Sequence, residues 1–148
     1  MSRRTFVSGL ALIVIIGGHG LVAQKVQGQA GKGKLKFEIY KDSAKEFRWR
    51  LKAANGEILA TAGQGYKAKA DCKTGVQRIQ EELKKGTKSK YEFELYQDKA
   101  KEYRWRLKAS NGQVVASSSE GYKAKAKCQH AIDLIKKGAG KATVEDKE

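Results

Sequence analysis

The sequence predicts an α+β fold: two tandem β-β-β-α repeats packed into one compact unit, with an antiparallel sheet and two amphipathic helices. Three observations carry this. From Phe37 onward, adding 56 to a residue number lands on a near-copy without a gap, and 24 of 43 positions are identical between 37–79 and 93–135. Within each copy the apolar period changes from two residues to between three and four. Each copy also carries Asn-Gly between alternating runs, at Asn55-Gly56 and Asn111-Gly112.

The elements follow in order. Residues 35–41 alternate, with Leu35, Phe37 and Ile39 on one face and Lys36, Glu38 and Tyr40 on the other. Residues 46–53 alternate again, placing Phe47, Trp49, Leu51 and Ala53 inward and Glu46, Arg48, Arg50 and Lys52 outward. Asn55-Gly56 predicts a type I′ hairpin, which sets Ala53 opposite Ile58 and Leu51 opposite Ala60. The second copy repeats this, with Leu107 and Ala109 opposite Ala116 and Val114. Gly63 and Gly65 end the third strand. From Lys67, Ala68, Cys72, Val76, Ile79 and Leu83 line one face of a helix that Gly86 ends. Ala124, Cys128, Ile132 and Ile135 do the same up to Gly138. The two helix starts, at Lys67 and Lys123, lack a capping side chain, and their lysines oppose the helix dipole. The repeats are thus 35–86 and 87–138, with a flexible linker over 24–34 and a disordered tail over 139–148.

The start of the chain has a different character. Ser2-Arg3-Arg4-Thr5-Phe6 opens a segment that runs from Phe6 to Ala23 without Asp, Glu, Lys or Arg. A basic start, an apolar stretch and a small-residue exit describe an export signal. The Arg pair resembles a bacterial twin-arginine signal, with Val7 and Ser8 where that pattern prefers Leu and Lys. The expected cut follows Ala23, with Ala30 as the second candidate, so the chain is expected in the periplasm or outside the cell. The alternative is an uncleaved membrane anchor.

The 148 residues hold 31 Lys and Arg against 16 Asp and Glu, a formal charge of +15. Removing residues 1–23 takes away only Arg3 and Arg4, so the charge belongs to the mature chain. Two Cys exclude a disulfide-dense scaffold and a four-cysteine zinc site. His19 and His130 lie far apart, and His130 has Thr74 as its counterpart in the first copy. No GxGxxG, P-loop or GxSxG motif occurs.

Both copies carry F-E-[IL]-Y-x-D-x-A-x-E-[FY]-R-W-R-L-K-A-x-N-G followed by G-Y-x-x-K-x-x-C. On these residues the chain resembles the YegP-like family of small bacterial proteins of unknown function, over roughly 34–136. The resemblance implies a β3α repeat, two of which join into one α+β unit. It supplies no catalytic residues. Family members carry Ser or Thr after the Gly-Tyr, where this chain has Lys67-Ala68 and Lys123-Ala124. An export signal is a further departure from typical relatives.

These readings point to an exported, non-enzymatic domain acting structurally or through protein partners, a monomer with internal pseudo-twofold symmetry that calls for no cofactor or metal. The alternative is electrostatic binding of an anionic polymer (nucleic acid, polysaccharide or a lipid surface) through basic strand faces. Its candidate residues are Arg48, Arg50 and Lys52 with Arg104, Arg106 and Lys108. The opposing reading of those six is a solvated face with cross-strand ion pairs. Trp49 and Trp105 fall on the inward parity and belong to the core. Cys72 and Cys128 share one helical position, as small buried hydrophobes or, alternatively, as a disulfide.

Overall fold

A computed structural model describes residues 33–148; the signal, both cleavage candidates and most of the linker lie outside the described residues. Three strands, β1 (Lys36–Lys41), β2 (Phe47–Lys52) and β3 (Ile58–Ala62), precede helix α1 (Lys69–Lys84). Strands β4 (Glu92–Gln97), β5 (Tyr103–Lys108) and β6 (Val114–Ser117) then precede α2 (Lys125–Gly138), and β7 (Thr143–Asp146) follows. The seven strands form one sheet in the order β4-β5-β6-β3-β2-β1-β7. Every pairing is antiparallel except that of β7 with β1.

The two three-stranded units meet where β3 pairs β6, with Thr61 opposite Ser117 and Ala62 opposite Ala116. Gly63 donates its N–H to the Val115 carbonyl at 3.2 Å, and the Ser119 hydroxyl donates to the Ile58 carbonyl. A side chain at Gly63 would place Cβ 2.1 Å from the Val114 carbonyl oxygen, so only glycine lets the two backbones approach this closely.

Both helices lie on one face of the sheet. Their apolar stripes, Cys72, Val76, Ile79 and Leu83 on α1 and Cys128, Ala131, Ile132 and Ile135 on α2, bury against inward side chains. Phe37, Ile39, Trp49, Leu51, Trp105 and Leu107 are at most 1% exposed. Phe37 meets Trp49 edge-on at 5.3 Å between ring centroids, and Phe93 meets Trp105 at 5.4 Å. One cluster therefore runs under both helices.

The hairpins depart from the predicted turn. Gly56 and Gly112 adopt positive φ, but Asn55 and Asn111 do not. The Gly56 N–H reaches back to the Ala53 carbonyl, and the Ala53 N–H pairs with Glu57. This is a three-residue loop ending in a left-handed glycine bulge, which matches strand twist as a type I′ turn would. The Asn55 side chain accepts the Glu57 N–H, a contact open to Asn in the αR region. The extra residue shifts the register. Leu51 still faces Ala60, but Lys52 rather than Ala53 faces Ile58, and Lys108 faces Val114. A second irregularity sets Leu59 and Ala60 together against Leu51, so both are buried. The β1–β2 and β4–β5 loops need left-handed backbone at Lys45 and Lys101, with φ of 61° and 64°.

The helices begin at Lys69 and Lys125, two residues later than predicted, and the capping positions Ala68 and Ala124 make no side-chain bond. Gly86 takes φ +57 just past α1, as a helix-ending glycine should. Gly138 stays in the helical region and ends α2 without that conformation.

The largest correction concerns residues 139–148, which are not a disordered tail. Ala139–Lys141 form a 3-10 turn, and β7 runs parallel to β1, with Val144 beside Phe37 and Glu145 beside Glu38. Charge and hydrogen bonds hold it there. Glu145 pairs with Lys36 at 2.7 Å, and Asp146 pairs with Lys69 and Lys73, each at 3.2 Å. The Gln80 amide on α1 donates to the carbonyls of Ala139 and Ala142. Composition alone reads Thr-Val-Glu-Asp as solvated, whereas its backbone pairing with β1, supported by Lys36, Lys69 and Lys73 facing its carboxylates, makes it a strand.

Candidate functional site

The second strand of each repeat brings the six predicted cations onto the face opposite the helices. One row crosses the sheet through register partners: Glu38, Arg50, Thr61, Ser117, Arg106, Glu94. Each arginine in that row turns toward its own glutamate. Arg50 Nε donates to Glu38 at 2.8 Å, and Arg106 makes two bonds to Glu94, at 2.6 and 3.1 Å. Lys52 and Lys108 reach the same carboxylates at 3.1 and 2.7 Å. Arg48 and Arg104 pair with Asp42 and Asp98, both at 2.6 Å. Arg50 and Arg106 also stack over Tyr40 and Tyr96, with the guanidinium 4.9 and 5.1 Å from the ring centroid. All six candidate cations therefore have an acidic partner within the chain.

The two halves of this face are unequal. Glu38 was read as solvated but is 2% exposed, because β7 lies beside it and Lys36 and Lys147 close over it at 3.5 and 4.0 Å. Burial works against its charge, yet hydrogen bonds from Arg50 and Lys52 hold its carboxyl down at about 2. Glu94 has no strand outside it among the described residues; Arg106 and then Lys108 hold it at about 2 as well. A cleft of about 350 Å³ opens beside Glu38, lined by Lys34, Lys36, Lys52 and Thr143 among others. Glu38 and Glu145 already counter the Lys36 and Lys52 charges there.

Trp49 and Trp105 are buried, as their parity predicted, and offer no stacking surface. Cys72 and Cys128 are both free and buried, so the alternative of a disulfide is not realised. Each sits under its own helix against its own strands, and burial pushes both thiols up to about 11, where they are poor nucleophiles. Tyr122 is buried and its phenol raised, by loss of solvent first. His130 is exposed on α2. Among the described residues no three His, Cys, Asp or Glu side chains gather as metal ligands, and no helix is long and apolar enough to cross a membrane.

What the strand-face reading missed is where the unbalanced charge lies. Residues 67–90 and 121–141, the two helices with their flanks, hold fourteen Lys and Arg against four Asp and Glu. The rest of the described chain holds thirteen against twelve. Counting charge by element, rather than by strand face, would have found this.

A single sheet with two helices on one face and a paired polar face on the other defines a small α+β domain protein. Residues 42–86 and 98–146 match the family described as a domain of unknown function, DUF1508. The chain belongs to this DUF1508/UPF0339 family. A UPF0339 protein of Stutzerimonas stutzeri, encoded in the ptx operon 5′ region, is 40% identical over 108 residues, covering 73% of this chain and 92% of that protein. A UPF0339 protein of Agrobacterium fabrum is 59% identical over 56 residues, 38% of this chain and 89% of the relative. The solution structure of the Escherichia coli protein of unknown function yegP superposes with a TM-score of 0.66 at 26% identity, covering 78% of this chain and 94% of that one. The YegP-like resemblance of the two motifs is thereby met, and the relatives indicate no enzymatic activity.

Proposed function

We propose that the chain is an exported, non-enzymatic binding module in which two pseudo-twofold-related repeats form one cooperative unit. The observation that carries the binding role is the open edge of the sheet. The outer edge of β1 is covered by β7, while β4, its near-copy in sequence, ends the sheet with no strand beyond it among the described residues. Phe93 and Leu95 on β4 are half-buried, whereas Phe37 and Ile39 on β1 are buried. An uncovered strand edge offers unpaired N–H and C=O groups to an extended segment of a partner protein. The paired carboxylates and masked thiols support this non-enzymatic reading, since among the described residues these groups are held by partners or buried rather than poised as acid, base or nucleophile.

The test is site-specific crosslinking in producing cells, with a photoreactive residue replacing Gln97 on the β4 edge or Asn111 at the far hairpin. A discrete adduct from position 97 and none from 111 is expected. Equal labelling at both, or at neither, overturns the edge reading. Intact-mass measurement of the exported protein tests the address: a start near Gln24 is expected, and a full-length chain recovered only from membranes overturns cleavage.

A further inference from the structure

We infer that the helical side of this protein is a docking surface for an anionic lipid bilayer, recognised through its phosphate head-groups. The inference rests on the binding-module reading and names a second surface and partner for it.

Charge is distributed by layer. Almost the whole net positive charge of the described chain resides in residues 67–90 and 121–141, where cations outnumber acids fourteen to four. The sheet beneath is close to balanced, and its strand cations are held by Glu38, Asp42, Glu94 and Asp98. Arg78, Lys84, Lys127 and Lys137 are exposed on the helices and have no acidic partner within salt-bridge distance among the described residues. Carried on two helices over the same face of the sheet, these charges add to a positive potential on that side of the molecule.

The residue types choose among anionic partners. Thirteen of the fourteen cations are lysines, compact point charges on flexible stems. They suit a fluid layer of head-groups better than the fixed geometry that arginine forks read. The two segments contain a single aromatic residue, Tyr122, and it is buried, so no ring is available to stack on single-stranded nucleic acid. Two helices side by side on a sheet form a broad layer; a cylinder such as a duplex would touch it along a line, whereas a planar membrane engages all of it. Polybasic surfaces of this kind are drawn to anionic membranes without inserting.

The test uses the full chain with sedimenting vesicles, either pure phosphatidylcholine or containing roughly one third phosphatidylglycerol. Binding to the anionic vesicles alone is expected, weakening about tenfold or more as salt rises from about 0.1 to 0.5 M. Replacing Arg78, Lys84, Lys127 and Lys137 by Gln should weaken it about tenfold or more. Replacing Lys34, Lys41, Lys99 and Lys101 by Gln removes the same charge from outside the helices and should change binding less than about threefold. Circular dichroism melts of both variants should match the parent.

Equal loss in both variants, equal binding to both vesicle types, or tighter binding to duplex DNA at the same salt would each overturn the lipid surface. A position-97 adduct without vesicle binding removes this inference and leaves the module standing. Absence of both removes the module reading as well.

Discussion

Glu38 and Glu94 stand 56 residues apart at the same position of the two repeats, yet the Glu38 side chain is 3% exposed and that of Glu94 is 40% exposed. Each receives an arginine and a lysine from the neighbouring strand. The difference is β7, which covers one and not the other. The same Glu, Arg and Lys positions thus yield one buried ion cluster and one solvated one.

Glu38→Gln should cost about 3 kcal/mol, because it leaves Arg50 and Lys52 facing a buried site without its counter-charge. Glu94→Gln should cost far less, since solvent screens an exposed pair. Urea melts of the two variants at neutral pH check the contrast.

The same carboxylate sets a pH dependence. Folding lowers the Glu38 carboxyl from 4.5 to about 2, so the unfolded chain binds this proton more readily. Its contribution is complete above about 4.5 and is lost as pH falls toward 2. Glu94 and Asp146, also lowered to about 2, act in the same direction. Stability measured between pH 6 and pH 2 should therefore decline on acidification, about linearly below 4.5, and less steeply in Glu38→Gln.

Gly63→Ala should destabilise by about 1–3 kcal/mol, because the new methyl meets the Val114 carbonyl across the β3–β6 junction. The corresponding residue of the second repeat is Ser119, whose side chain bonds to the Ile58 carbonyl, so Ser119→Ala should lose only about 1 kcal/mol. Thermal melts should show one transition for each variant if the junction joins both repeats in a single cooperative unit.

Cys72 and Cys128 should resist iodoacetamide at pH 8 in the folded protein and react fully in guanidinium, since their thiols are buried and raised to about 11. Mass spectrometry counts the adducts. Rapid labelling of the folded chain at either position would contradict the buried placement.

A chain ending at Ala142, which lacks β7, should melt roughly 5–10 °C lower, equivalent to about 1–2 kcal/mol for a domain of this size. It should also expose Glu38 and bare the β1 edge. Hydrogen exchange at Phe37 and Ile39 reads the newly opened edge.

Most of the architecture was legible because it rests on period and repetition. Phe37, Trp49 and Leu51 fall on one parity, Cys72 and Ile79 on one helical stripe, and their copies say the same twice. The hairpin turn was misread because Asn-Gly supports two loops that differ in whether Asn takes positive φ, and only strand pairing decides between them. β7 was invisible for a different reason. Thr143–Asp146 is too short to show alternation and sits in a polar, Lys- and Gly-containing end, and its partners Lys36, Lys69 and Lys73 are far away in sequence. The site showed the same limit. Alternation placed Arg50 and Arg106 on the open face, but their commitment to Glu38 and Glu94 depends on which strand lies alongside.

The parallel closure of β7 on β1 has a consequence for how the protein is made. Translation delivers Lys36–Lys41 early and Thr143–Asp146 more than a hundred residues later. Until then a nascent chain carries a bare edge at β1, and once β4 and β5 have paired it carries a second at β4. Such edges are where growing chains adhere to one another. Ribosomes that stall after α2 would release a chain with both of these edges bare, and eight further residues, 139–146, cover one of them.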